Sequence, residues 1–268
     1  MEKSAADKYI TEFTVDNMWG RVDIEWKNIN PDVNIIVGIN GCGKTTLLNF
    51  IADYYLDKKP KRSSGVKLKG NAISSPVAFI LSFDVPGASK SKNDSTLLRD
   101  LKNVIYPSGA GSSFLDYRMK IINFPEQADE VRRRIDDFFR LVNTLFADTG
   151  KEVSIDTLSN QIVFTIAHSA DVNMGDKSVI TIDKLSSGEK QLLLILTTVF
   201  LQEERPAVLL MDEPEISLHI AWQDELVAVL RRLNPNCQII LTTHSPNIFA
   251  NGWEDKLTFM NDIERPNI

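Results

Sequence analysis

The stretch Gly38-Ile39-Asn40-Gly41-Cys42-Gly43-Lys44-Thr45-Thr46 gathers three glycines, a lysine and two hydroxyls. Its Gly-x-x-x-x-Gly-Lys-Thr spacing suits a phosphate-binding loop. Glycines let the backbone turn so that successive N–H groups face anionic oxygens. A helix opening at Lys44 would present its positive end to the same oxygens. Lys44 is suited to bridge the β- and γ-phosphates of ATP, and the Thr45 hydroxyl to ligate Mg²⁺. Asn40, Gly41, Cys42, Gly43, Lys44, Thr45 and Thr46 are therefore the expected contacts to a nucleoside triphosphate, which the full set of motifs below makes ATP.

Val208-Leu-Leu-Met-Asp212-Glu213 is an apolar run ending in two carboxylates. A buried parallel strand would deliver both to the carboxyl edge of a sheet, where ligands bind in such folds. Asp212 is expected to join Thr45 in holding Mg²⁺. Glu213, one residue on, would face the γ-phosphate and align the attacking water. Thr243-His244 closes the next apolar run, so His244 is expected to donate a hydrogen bond to the γ-phosphate. Lys44, Glu213 and His244 are thus the expected catalytic set.

Leu185-Ser-Ser-Gly-Glu-Lys-Gln191 opens a further helix. Ser186 or Ser187 can cap it, and Gly188 allows close backbone approach. This is a second anion site, although the glycine-rich loop already serves the chain's own phosphates. Ser187, Gly188 and Glu189 are therefore expected to contact ATP held by another copy. That predicts a homodimer, or a higher even oligomer, with ATP between protomers.

The elements that must position these residues read as α/β. Tyr9–Val15 and Arg21–Trp26 alternate apolar and polar residues around the Asn17–Gly20 turn, predicting a hairpin. Val33–Val37 predicts a strand, Lys44–Tyr55 a helix and Pro76–Phe83 a strand. Lys58–Lys69 is a basic loop, and Pro86–Ser113, rich in Gly, Ser, Asn and Lys, reads as a mobile surface segment. Glu126–Phe146 has apolar residues at helical spacing. Val153–Ile155, Gln161–Ala167 and Val179–Ile182 are strand candidates. Helix Glu189–Leu201, strand Ala207–Met211, helix Ala221–Leu233 and strand Gln238–Thr242 then alternate, as in a parallel sheet covered on both faces.

Net charge of -6 over 268 residues does not describe a general nucleic-acid binder. No stretch has the roughly 18 uncharged apolar residues of a membrane span, and the first residues lack a signal-peptide pattern. A cytoplasmic protein without membrane association is expected. Two cysteines make no disulfide framework, and Cys237 reads as a small buried residue.

Taken together, the motifs resemble those of the ABC-type ATPase superfamily. Gly38–Thr45 is similar to its Walker A, Leu185–Gln191 to its signature, and Val208–Glu213 to its Walker B. Ile216–His219 is similar to its D-loop, and His244 to its switch histidine. Leu-Ser-Ser-Gly-Glu-Lys-Gln and Asp212-Glu-Pro-Glu-Ile-Ser-Leu-His219 look like the SMC/RecF/OLD-like branch, which mostly serves DNA maintenance or anti-phage defence. The resemblance implies a P-loop ABC-type ATPase head with N-terminal antiparallel strands, a parallel core sheet and a small helical insert. One domain would span 1–268: a strand and P-loop lobe at 1–84, an insert at 85–150, and the signature and Walker B part at 151–268. It also implies Mg-dependent ATP hydrolysis that gates a separate effector such as a nuclease, with nucleic acid a candidate ligand. An ATP-sensing scaffold that holds a nuclease or toxin inactive is the alternative, and a transporter subunit a third reading.

The sequence departs from that family in its Q-loop. No glutamine lies between Asn49 and Glu126, so Ser82, Asp84, Gln127 or Gln161 is left to stand there. Other segments admit two readings. Lys58–Lys69 and Arg132–Arg134 could contact phosphates or simply be solvated. The apolar stripe of Glu126–Phe146 could be core or a docking face. Trp19 or Phe13 could stack on adenine or belong to the core.

Overall fold

Alternating side chains build the first hairpin. Strands β1 (Glu12–Met18) and β2 (Val22–Lys27) pair antiparallel, with Phe13 opposite Trp26 and Val15 opposite Ile24. Those four residues are buried, so one face of the pair is apolar. β1 starts later than Tyr9 because the preceding backbone has other partners. The Ile10 N–H donates to Gln238 Oε1 at 2.9 Å, and the Gln238 amide donates to the Ile10 and Asn30 carbonyls at 2.8 and 2.7 Å. Gln238 is fully buried and satisfies its amide by fastening the hairpin's entry to the central sheet.

Strand β3 (Val33–Val37) leads through the glycine loop into helix α1 (Lys44–Tyr55). Strand β4 (Lys67–Gly70) pairs antiparallel with β1, and β5 (Val77–Leu81) follows. The basic segment expected as a loop through Lys69 therefore ends as a strand. Leu68 pairs with Val15 while Lys67 and Lys69 are exposed, so only one residue there carries a strand-like apolar signal. Lys58, Lys59, Lys61 and Arg62 lie outside the described residues. The computed structural model describes residues 8–56, 65–81, 94–107, 113–156, 158, 161–166 and 178–266.

Two compact units divide the chain: Met1–Ser82 with Gln202–Ile268, and Phe83–Leu201. The second unit contains helices α2 (Thr96–Ile105), α3 (Phe114–Asn123) and α4 (Ala128–Leu145). Strands β6 (Lys151–Ile155), β7 (Ile162–Ile166) and β8 (Ser178–Thr181) and helix α5 (Ser187–Phe200) follow. Residues 96–105 correct the expectation of a mobile surface segment. Ser95 caps α2 by accepting from the Leu98 N–H at 3.2 Å, and Leu97, Leu98, Leu101 and Ile105 are buried. The stripe on α4 is core: Phe138 packs on Phe200 with ring centroids 4.6 Å apart. Arg132 pairs with Asp129 at 2.9 Å, and Arg134 lies over the Tyr117 and Phe200 rings. The leucine-rich α5 is buried nearly all round, as a core helix should be.

The chain returns to the first unit with β9 (Ala207–Asp212), α6 (Ile220–Leu233), β10 (Cys237–Thr242), β11 (Leu257–Phe259), α7 (Met260–Ile263) and β12 (Glu264–Pro266). Its five-stranded sheet runs β11-β3-β10-β9-β5 with every pairing parallel. All residues of β3, β9 and β10 are buried, which is why these strands read as continuous apolar runs. Leu47, Leu48 and Ile51 of α1 join Ile36, Val208, Leu210 and Ile240 in one core. Each such fully buried side chain contributes roughly 1.5–3 kcal/mol. A four-stranded antiparallel sheet, β12-β2-β1-β4, completes this unit. Among the described residues no helix is long and apolar enough to cross a membrane.

Candidate active site

The parallel register of β3, β10 and β9 brings three sequence-distant segments to one sheet edge. Val37 ends β3, and the chain turns through Gly41 and Gly43, whose φ angles are 82° and 100°. A Cβ on Gly43 would lie 2.6 Å from the Trp19 ring, so only glycine fits there. Helix α1 has no side-chain N-cap. Its first N–H groups are thus left for an anion.

β9 delivers Asp212 beside Thr45. Asp212 Oδ1 accepts from Thr45 Oγ1 at 2.9 Å and from Thr242 Oγ1 at 2.7 Å, and the residue is 1% exposed. A carboxylate and a hydroxyl meeting beside a phosphate loop are hard oxygen donors, and they fit Mg²⁺, which takes few protein ligands and completes its shell with phosphate and water.

Glu213 follows with a φ of 44°, a conformation that costs a residue bearing a Cβ of order 1–3 kcal/mol. Its N–H donates to the Thr242 carbonyl and hydroxyl at 3.1 and 3.0 Å, which holds it in that turn. Its carboxylate is 3.0 Å from His244 Nε2, and Lys44 Nζ is 2.7 Å from the same nitrogen. Lys44 also donates to the Gly38 and Ile39 carbonyls at 3.1 and 3.3 Å. The three expected catalytic residues are therefore neighbours. One ring nitrogen cannot serve both others at once: protonated it donates to Glu213, and unprotonated it accepts from Lys44.

These side chains open onto a cavity of about 570 Å³ lined by Trp19, Asn40, Gly41, Gly43, Lys44, Thr45, Thr46, Glu213 and His244. Cys42 is only partly buried, but it is not among the lining residues. Trp19 is 53% exposed at the cavity wall, whereas Phe13 is fully buried, so the adenine-stacking reading of Phe13 is overturned.

In the second unit, Ser186 caps α5 and Ser187 and Gly188 form its first turn. Glu189, expected among the ATP contacts, is turned inward instead. It is 2% exposed, one oxygen is bound by Lys151 at 2.5 Å and the other by the Ser186 N–H at 2.8 Å. Burial pushes its carboxyl pKa up, but Lys151 and the Ser186 bonds outweigh that and leave it below the ordinary value. Glu189 thus fixes the helix start. Of the Q-loop candidates, Ser82 and Asp84 lie outside the described residues; Gln127 and Gln161 belong to the second unit.

Two residues of this site gave little signal in the sequence. Thr242, a strand-end threonine, binds both Asp212 and the Glu213 N–H. Glu215 is buried and accepts three hydrogen bonds from Thr243, His244 and Ser245. The Asp-Glu-Pro-Glu run marked the position, but not its partners.

Parallel sheet, glycine loop and the Thr45–Asp212 pair together form a P-loop ATPase fold. The family model described as "AAA domain, putative AbiEii toxin, Type IV TA system" matches residues 67–250, and the chain belongs to that family. The match begins after the glycine loop and takes in Asp212, Glu213 and His244. The "Retron Vc95 probable ATPase" of Vibrio cholerae serotype O1 biovar El Tor is 31% identical over 98 residues, covering 32% of this chain and 19% of that protein. Septu protein PtuA of Bacillus thuringiensis is 22% identical over 293 residues, covering 89% of this chain and 72% of that one. Among solved structures, an SMC head bound to the C-winged helix domain of ScpA shares the fold. Its TM-score is 0.54 at 15% identity, covering 91% of this chain and 92% of that one.

Proposed function

We propose that this protein hydrolyses ATP between two copies of itself and thereby gates a separate effector in anti-phage defence. The observation that carries the reading is the convergence of Lys44, Glu213 and His244 beside the Thr45–Asp212 pair on one cavity. The defence context rests on the family description and on the similarity to a retron ATPase and a Septu protein. Both units would work as one ATPase head.

Entering phosphates compete for Lys44, drawing it from the Gly38 and Ile39 carbonyls and from His244. The loop N–H groups and the start of α1 orient the β- and γ-phosphates. Thr45 and Asp212 would hold Mg²⁺, which when bound neutralises phosphate charge. Once Lys44 has gone to the phosphates, His244 can donate to a γ-phosphate oxygen. Glu213 accepts a hydrogen bond from the attacking water and aligns it in line with the breaking bond. Ser187 and Gly188 of a second copy would close the site over the γ-phosphate, and loss of phosphate would release that copy and alter the effector.

Steady-state ATP turnover, with size-exclusion chromatography in the presence of ATP, tests the reading. Magnesium-dependent phosphate release and an ATP-dependent two-copy species are expected. A protein that binds ATP but releases no phosphate would instead be the ATP-sensing scaffold.

A further inference from the structure

Glu215 is a buried acid that sits beside the site and has no task in the scheme above. It is 7% exposed, yet its Oε1 is crowded with donors: Thr243 Oγ1 at 2.7 Å, the His244 N–H at 2.8 Å and the Ser245 N–H at 3.3 Å. A carboxylate accepting consecutive backbone donors fixes that backbone, because such charge-assisted hydrogen bonds are about twice as strong as neutral ones. The residue whose main chain is pinned here is His244.

The backbone of Glu215 is also bound. Its backbone carbonyl accepts from Gln223 Nε2 at 3.3 Å, and the same amide donates to the Leu218 carbonyl at 3.0 Å. Gln223 Oε1 in turn accepts from Ser245 Oγ at 2.7 Å. Glu215 and Gln223 therefore close a ring joining the 213–219 loop to the turn that carries His244. That loop carries the exposed Ile216 and ends at the N-cap His219. Glu215 Oε2 is buried and, among the described residues, has no hydrogen-bond partner. Its acceptor oxygen toward 243–245 is thus the part of the side chain that the fold uses.

We propose that Glu215 is a positioning residue that sets the place of His244 relative to the γ-phosphate and ties it to the 213–219 loop. This inference rests on the reading that His244 acts at the γ-phosphate. It assigns Glu215 no contact with ATP and no proton transfer. Its effect should therefore pass through His244 alone.

A double-mutant cycle tests this with ATP turnover and ATP affinity as readouts. Glu215→Ala is expected to lower kcat at least tenfold while changing ATP affinity less than threefold. Glu215→Gln, which keeps an acceptor oxygen, should restore most of kcat. In a His244→Ala background, Glu215→Ala should cost nothing further. Thr243→Val covers the case in which Glu215→Ala does not fold: it removes the 2.7 Å donor, and should lower kcat about threefold in the native background but not beside His244→Ala. Losses that multiply in the double variant, or native turnover in Glu215→Ala or in Thr243→Val, would overturn the proposal. A His244→Ala variant with native kcat would instead sink the underlying reading of His244, a separate and distinguishable result.

Discussion

Thr45 Oγ1 donates to Asp212 Oδ1 at 2.9 Å, joining the first turn of α1 to the end of β9 across a gap of more than half the chain. The register of three parallel strands makes this contact, since β3, β10 and β9 end at the same edge. A metal ion placed between these groups would take over the hydroxyl that Asp212 now accepts. Thr242 holds the carboxylate from its other side at 2.7 Å.

The pair predicts how turnover should respond to magnesium. Asp212→Asn keeps the shape but removes the negative charge, so half-maximal activity should require at least tenfold more Mg²⁺. A chelator should abolish phosphate release by the native protein. Unchanged magnesium titration curves would remove Asp212 from the metal site.

Lys44→Ala should weaken ATP binding at least a hundredfold by calorimetry. The fold should survive, because the lost hydrogen bonds to the Gly38 and Ile39 carbonyls contribute only about 1.5–3 kcal/mol each. Full retained affinity is the outcome that would refute the phosphate-site assignment.

Replacing Glu213 with Gln should leave ATP binding intact, reduce turnover at least a hundredfold and accumulate the ATP-bound two-copy species on a sizing column. Native hydrolysis by this variant would take Glu213 out of the mechanism.

The Lys151–Glu189 pair makes a pH prediction for stability. Glu189 has a folded-state pKa below its ordinary 4.5, so its contribution is complete above the unfolded value and is lost as pH falls through the folded one. Lys151→Met should destabilise the protein by about 3 kcal/mol in urea at pH 7, because it leaves a buried carboxylate unpaired. That deficit should shrink as the pH is lowered from 5 toward 3. A constant deficit across this range would show that the pair contributes through packing alone.

Much of the central sheet could be read from the chain because its strands are apolar throughout. Val33–Val37, Ala207–Asp212 and Cys237–Thr242 announce burial on both faces, and Gly-Lys-Thr after the first of them marks the phosphate loop. Helix α2 was hidden because its single turn-and-a-half of leucines sits among Gly, Ser, Asn and Lys residues that signal loops. β4, β11 and β12 are only three or four residues long and exist through pairing with distant strands, which no local pattern records. The site divides along the same line. Lys44, Thr45, Asp212, Glu213 and His244 belong to compact motifs, and the fold brings them together. Glu215 and Thr242 act through hydrogen bonds to residues far away in sequence, and the inward turn of Glu189 on α5 depends on a lysine from strand β6.

The indole of Trp19 stands at the cavity wall, 53% exposed, while Trp26 and Trp222 are 3% and 9% exposed and Trp253 is partly covered. Its emission should therefore be the most sensitive of the four tryptophans to whatever enters beside Lys44. The indole would then serve as a built-in optical gauge of nucleotide occupancy. Stopped-flow fluorescence of the unlabelled chain can time nucleotide arrival and departure separately from bond cleavage.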